Sequence, residues 1–143
     1  IGCSTDTNEC CRDADCSSPS SCVQRTCIDE GNPRITITWN GDDDYDLTVT
    51  PPIGGTISFL NQVDEDSGGR FGEDGVQVFA GLHVENVFFP VQGGPIGIYS
   101  YAIQSFNTVG DEDTWTATVY VNGLEVDSMS GAGDSEILTY EYT

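Results

Sequence analysis

Thr114-Trp115-Thr116-Ala117-Thr118-Val119-Tyr120-Val121-Asn122-Gly123-Leu124 carries the period that decides the fold. Trp115, Ala117, Val119 and Val121 alternate with Thr114, Thr116, Thr118 and Tyr120, which puts an apolar set and a wet set on opposite faces of an extended chain. Asn122-Gly123 ends the run with two residues that tolerate positive φ, as a two-residue hairpin requires. The same alternation recurs upstream, in Ile35, Ile37 and Trp39 and again in Tyr45, Leu47 and Val49. Shorter runs at 56–60, 76–80, 84–89, 98–106, 124–129 and 136–142 are further candidate strands, and no segment holds a helical period. Short strands punctuated by Gly, Pro and Asx predict an all-β domain, an antiparallel β-sandwich of immunoglobulin-like or jelly-roll type.

Ahead of these strands the chain changes character. Cys3, Cys10, Cys11, Cys16, Cys22 and Cys27 fall in a segment rich in Ser, Thr and Asp, and no cysteine follows. So short a segment cannot build its own core, and six closely spaced cysteines predict a disulfide-stapled arm, with the pairing left open among 15 possibilities. Zinc is the weaker alternative, since no C-x-x-C pair is present and the one histidine, His83, is distant. The spacing from Cys11 to Cys27 resembles a small cysteine-rich repeat of secreted proteins. Pro33 marks the boundary, giving an arm at 1–32 and a sandwich at 33–143. The opening Ile1-Gly2-Cys3, without Met, is expected of a processed, extracellular chain.

Charge removes whole classes of partner. The 143 residues include 24 acids against four arginines and no lysine, a formal net charge of -20. Nucleic acid and anionic membrane surfaces would be repelled, and no apolar run is long enough to insert in a bilayer. The acids cluster at 42–46, 64–66, 73–74 and 111–113. Hard cations take several carboxylate oxygens, so these loops are expected to bind calcium. If Leu47 and Val49 face the core, Asp44 and Asp46 share the opposite face beside Asp42. The run Asp42-x-Asp44-x-Asp46 is not an EF-hand, because Leu47 stands where the loop needs Gly and Ile53 where it needs Glu. The alternative is that acidic loops only keep the chain soluble and blunt its sheet edges.

Trp39-Asn40-Gly41-Asp42-Asp43-Asp44-Tyr45-Asp46-Leu47-Thr48-Val49 resembles the W…D-x-D-L-x-V opening of YfaP-like domains, secreted β-sandwich domains of unknown function. Gly68-Gly69 followed by Asp74, then Val84-Glu85-Asn86-Val87-Phe88, Gly97-Ile98-Tyr99-Ser100-Tyr101-Ala102-Ile103 and Val119-Tyr120-Val121-Asn122-Gly123 resemble later motifs of that family in the same order. The resemblance implies a β-sandwich in which Asp44, Asp46, Asp74 and Glu85 converge, and it implies no reaction. With Asp42, these residues form the expected metal set.

Catalytic constellations are scarce. His83 lies in Leu82-His83-Val84-Glu85 without a nucleophile elbow, and among 24 acids some pair will always mimic a glycosidase dyad. A non-enzymatic role is therefore expected: a structural protomer that self-assembles through the arm or a terminal strand into an extracellular fibre or surface layer, stabilised by calcium. Ser17, Ser18, Ser20 and Ser21 are candidate O-glycan acceptors, and no Asn-x-Ser/Thr sequon occurs. The alternative is a calcium-dependent carbohydrate-binding module, with Tyr99, Tyr101, Tyr140 and Tyr142 either forming its platform or packing a sheet face.

Overall fold

A computed structural model describes residues 10–17, 20–23, 25–79, 81–107 and 113–143, with the backbone alone at 26, 73–79 and 107. Two short strands, β1 (Ser21–Val23) and β2 (Thr26–Ile28), form a hairpin in the arm after a 3-10 turn at Asp13–Asp15. Nine more build the body: β3 (Arg34–Asn40), β4 (Asp44–Thr50), β5 (Val63–Asp64), β6 (Gly69–Phe79), β7 (Leu82–Phe88), β8 (Gly97–Asn107), β9 (Thr114–Val121), β10 (Leu124–Ala132) and β11 (Leu138–Tyr142). They make a six-stranded sheet in the order β10-β9-β3-β7-β6-β5 and a three-stranded sheet in the order β11-β8-β4, antiparallel throughout. The chain is an antiparallel β-sandwich.

The alternating sets pack as the periodicity predicts. Ile35, Ile37 and Trp39 of β3 and Trp115, Ala117 and Val119 of β9 face Tyr45, Leu47 and Val49 of β4 and Tyr99, Tyr101 and Ile103 of β8 across one dry core. The turn between β9 and β10 is the expected hairpin, with Asn122 at φ 53° and Gly123 at φ 77°. The tyrosines belong to this core. Tyr99 and Tyr101 are buried, and Tyr140 and Tyr142 pack against the same cluster, so the proposed sugar platform does not exist on these residues. One candidate strand also fails. Only Ile57 and Ser58 of 56–60 make β-bridges, and the chain turns back at Phe59 and Leu60 because Ser58 and Asn61 bond each other's backbone. Conversely β6 is longer than its apolar run, extending back to Gly69.

In the arm, Cys10 pairs with Cys22 and Cys16 with Cys27, and Cys11 is disulfide-bonded as well. Among the described residues no cysteine is free; Cys3 lies outside them. The sulfurs of Cys10, Cys16 and Cys27 lie within 4.8 Å of one another, the spacing of a metal site. They are oxidised, and only a thiolate ligates, so they offer no zinc site.

The arm lies on the outer face of the six-stranded sheet. Arg34, at the start of β3, is almost fully buried there, its Nη1 donating to Glu30 Oε2 at 2.9 Å and to Ser21 Oγ at 3.3 Å. Its guanidinium sits 3.8 Å from the centre of the Tyr120 ring. Asn86 of β7 donates to the Asp29 carbonyl at 3.0 Å and accepts from Thr36 at 2.7 Å. At the sandwich end, Asn32 Nδ2 donates to Val91 O at 2.7 Å and to Asn122 Oδ1 at 3.1 Å, while Asn122 N returns a bond to Asn32 Oδ1 at 2.6 Å. Burial pushes the Glu30 carboxyl up despite Arg34, and pushes Arg34 down despite Glu30. The pair therefore fixes where the arm docks more than it stabilises the fold.

A Cβ on Gly31 would overlap the Phe89 backbone, which cannot move without breaking the Asn32–Phe89 bond. Gly31→Ala is expected to destabilise the protein by about 1–3 kcal/mol in urea unfolding with disulfides intact; an unchanged midpoint would refute this account of the seam.

Candidate functional site

Two surface features concentrate the chemistry. The first is the acidic pole where β3 ends and β4 and β9 begin. Asp43 N donates to Asp113 Oδ2 at 2.8 Å and Asp113 N donates to Asp43 Oδ2 at 2.6 Å, a reciprocal clasp between loops far apart in sequence. Tyr45, buried beneath, donates to the Asp113 carbonyl at 2.5 Å and accepts from Gly133 N at 2.9 Å. The indoles of Trp39 and Trp115 donate to the Asp43 and Gly133 carbonyls at 2.8 and 2.9 Å. Gly41, at φ 124°, has no room for a side chain because the Asp113 carboxylate fills that space. His83 stacks on Trp39 with ring centres 4.9 Å apart, and its Nε2 lies 2.9 Å from the Gly41 carbonyl. The only histidine thus braces the pole.

Asp43 is buried and Asp113 half-buried, yet neither stood out within its acidic run. The signal lay in their neighbours: two tryptophans and a tyrosine whose polar atoms needed partners at the same end of the sandwich.

The expected metal set does not converge. Asp42 and Asp44 are exposed, and Asp46 is half-buried on the outer face of β4, as the alternation predicts. Glu85 is fully buried on the inner face of β7, where its Oε1 accepts from Leu47 N at 2.9 Å. It points into the sandwich, away from the Asp44–Asp46 face, because β7 presents it beside Val87 in the alternation. The Asp74 side chain lies outside the described residues. Among the described residues no three carboxylates come together closely enough to hold one ion. Of the candidate glycan acceptors, Ser17 is exposed, Ser20 and Ser21 are half-buried with Ser21 accepting from Arg34, and Ser18 lies outside the described residues.

The second feature is a cleft of about 310 Å³ on the outer face of the three-stranded sheet. Asp44, Asp46 and Thr48 of β4 and Gln104 and Phe106 of β8 line it, and the 58–60 turn closes one side with Ser58, Phe59 and Leu60. Phe59, Leu60 and Phe106 are 46%, 91% and 63% exposed. The turn is tied down: Leu60 N donates to Ser58 Oγ at 3.1 Å, Asn61 Nδ2 to Thr56 O at 2.7 Å and Gln62 Nε2 to Phe59 O at 3.1 Å. Asp64 anchors the wider loop, accepting from Ser67 Oγ at 2.6 Å, Ser67 N at 3.0 Å and Gly55 N at 3.1 Å. A strand at 56–60 would have placed Phe59 in a sheet, and that expectation hid the cleft.

No protein-family model, no curated protein and no solved structure matches this chain. The resemblance to YfaP-like domains rests on the quoted motifs alone.

Asp64 is held below its ordinary value of 3.8, first by the Ser67 hydroxyl and then by the Gly55 amide. A depressed carboxyl adds stability above its unfolded pKa, and loses it as pH falls through the folded one. Asp64→Asn is therefore expected to lower the melting temperature at neutral pH, with the gap from the parent chain closing once pH drops below that depressed pKa. A gap independent of pH would show that the Asp64 charge does not hold the loop.

Proposed function

We propose that the chain is a non-enzymatic structural protein of the extracellular space, a protomer that polymerises by adding a strand of one copy to a sheet of the next. The observation that carries this reading is the pair of sheet edges that no described residue pairs. The free edge of β4 is occupied, Leu47 N by Glu85 and Val49 by Ile57, and β5 is only two residues long. β10 and β11 are the remaining edges, one in each sheet. Every residue of β10 is exposed apart from the half-buried Gly131, with Leu124, Val126 and Met129 among them.

A bulge between Glu125 and Asp127 blocks regular pairing along the first half of β10. Beyond it Ser128–Ala132 offers five residues, the length of β11. At about 3.4 Å per residue the two stretches match over about 17 Å. Glu141 is the one acid between them, in a chain of net charge -20. Pairing two different edges is heterologous, which yields an open-ended polymer. Disulfides favour an oxidising compartment.

Copies of such charge repel out to about 8 Å in physiological salt, so cations have to accompany assembly. Calcium is proposed in that role at the acidic loops, among them the pole where Asp43 and Asp113 clasp, taking its remaining ligands from main chain and water.

Electron microscopy and sedimentation of the unaltered chain in calcium are expected to give filaments. Ser130→Glu, an exposed substitution that gives up one exposed hydroxyl bond to Thr116 and costs the fold about 1 kcal/mol, is expected to give folded monomers. Monomers from the unaltered chain in both calcium and EDTA would end this reading. Separately, millimolar calcium should raise the melting temperature above that in EDTA; superimposable curves would remove calcium while leaving strand addition to the first experiment.

A further inference from the structure

We infer that the cleft on the outer face of β4 and β8 is a binding site for a neutral glycan, held by direct contact and without a bridging ion. The site is a different surface from the β10 and β11 edges, and the inference stands apart from the polymer reading.

Its lining is amphipathic in a particular way. Phe59 and Phe106 supply exposed ring faces, with Leu60 beside them. Asp44 and Asp46 supply carboxylate oxygens, each group with about four acceptor positions, and Gln104 adds an amide that both donates and accepts. A pyranose ring has the complementary character. Its axial C–H bonds make an apolar face that lies on an aromatic ring, while its hydroxyls ring the edge and donate to carboxylates. A purely apolar ligand would strip water from the carboxylates and return nothing for it. A purely polar one would gain nothing from the rings.

Charge narrows the class. Two carboxylates line the cleft of a chain of net charge -20, so uronates and sulfated sugars are repelled. The volume of about 310 Å³ sits at the small end of ligand sites, which suits one sugar unit of a longer chain rather than an enclosed oligosaccharide. Only two carboxylates line the cleft, and the titration in EDTA tests direct contact. The site is also preformed. The bonds that Ser58, Asn61 and Gln62 make within the turn hold Phe59 and Leu60 in water, away from the core where such side chains ordinarily go.

The test is calorimetric titration of the full chain with neutral hexasaccharides of glucose, mannose and galactose, with hexagalacturonate as the charged control, each in calcium and in EDTA. At least one neutral sugar is expected to bind equally in both media, and hexagalacturonate is expected not to bind. Phe106→Ala is expected to weaken the neutral sugar about tenfold, the loss of one stacked ring; Asp44→Asn should also weaken it. Both positions are exposed, so hydrodynamic size and melting temperature should stay unchanged. Failure of all neutral sugars, equal binding of the uronate, loss of binding in EDTA, or indifference to both substitutions would each overturn the proposal. Loss of self-association in Phe106→Ala with no sugar bound would assign the cleft to a second copy and overturn it too.

Discussion

A six-stranded sheet faced by a three-stranded one cannot be covered evenly, and most of the molecule is organised by that mismatch. β4 and β8 cover the inner face near β3 and β9, where the largest side chains meet. Toward β6, the deficit is made up by chain that is not strand: Ile57 and Phe89 fill the core, and Gly69 is without a side chain because those two occupy its space. Toward β10 no described residue fills it, and the strand is exposed along its length apart from the half-buried Gly131. The same geometry explains Glu85. A carboxylate on an inner face would be intolerable under a full sheet, but the uncovered edge of β4 gives it a backbone amide to accept.

The outer face of the larger sheet has the opposite problem. Its residues at 34, 36 and 86 are polar and yet buried where the stapled arm lies over them, and Thr118 is buried next to Thr36. Under a polar arm most of these groups find partners, through the Arg34–Glu30, Thr36–Asn86 and Asn86–Asp29 bonds, while Arg34 Nε is buried without one. Arg34 alone among the four arginines is buried, and its place is fixed as much by the Tyr120 ring as by the acid.

What was legible in the amino-acid order follows from this. β3, β4 and β9 each have one dry face and one wet face, so their period of two is plain in the sequence. Only the second half of β6 announces itself, since Gly69, Gly72 and Gly75 interrupt the first half, whose ladder is imposed by β7 on one side and β5 on the other. The 56–60 segment has the right alternation but turns, because Ser58 and Asn61 bond each other. The sites were harder still. Phe59 and Phe106 line one cleft from distant segments, and the Asp43–Asp113 clasp joins two acidic runs of similar sequence. Carboxylate residue types were readable; which of them share a face across two sheets was not.

The register of β3 has a consequence for how the chain is made. Ile35 lies between Val87 on one side and Val119 on the other, so both neighbours of the central strand are synthesised long after it. The Asn32–Asn122 bonds impose the same delay on the junction. The arm, by contrast, closes through bridges only 12 and 11 residues long. A ribosome delivering this chain from its N-terminus would thus release a sealed head well before the body has the partners it waits for, and the body, dominated by remote pairings, would complete late and slowly.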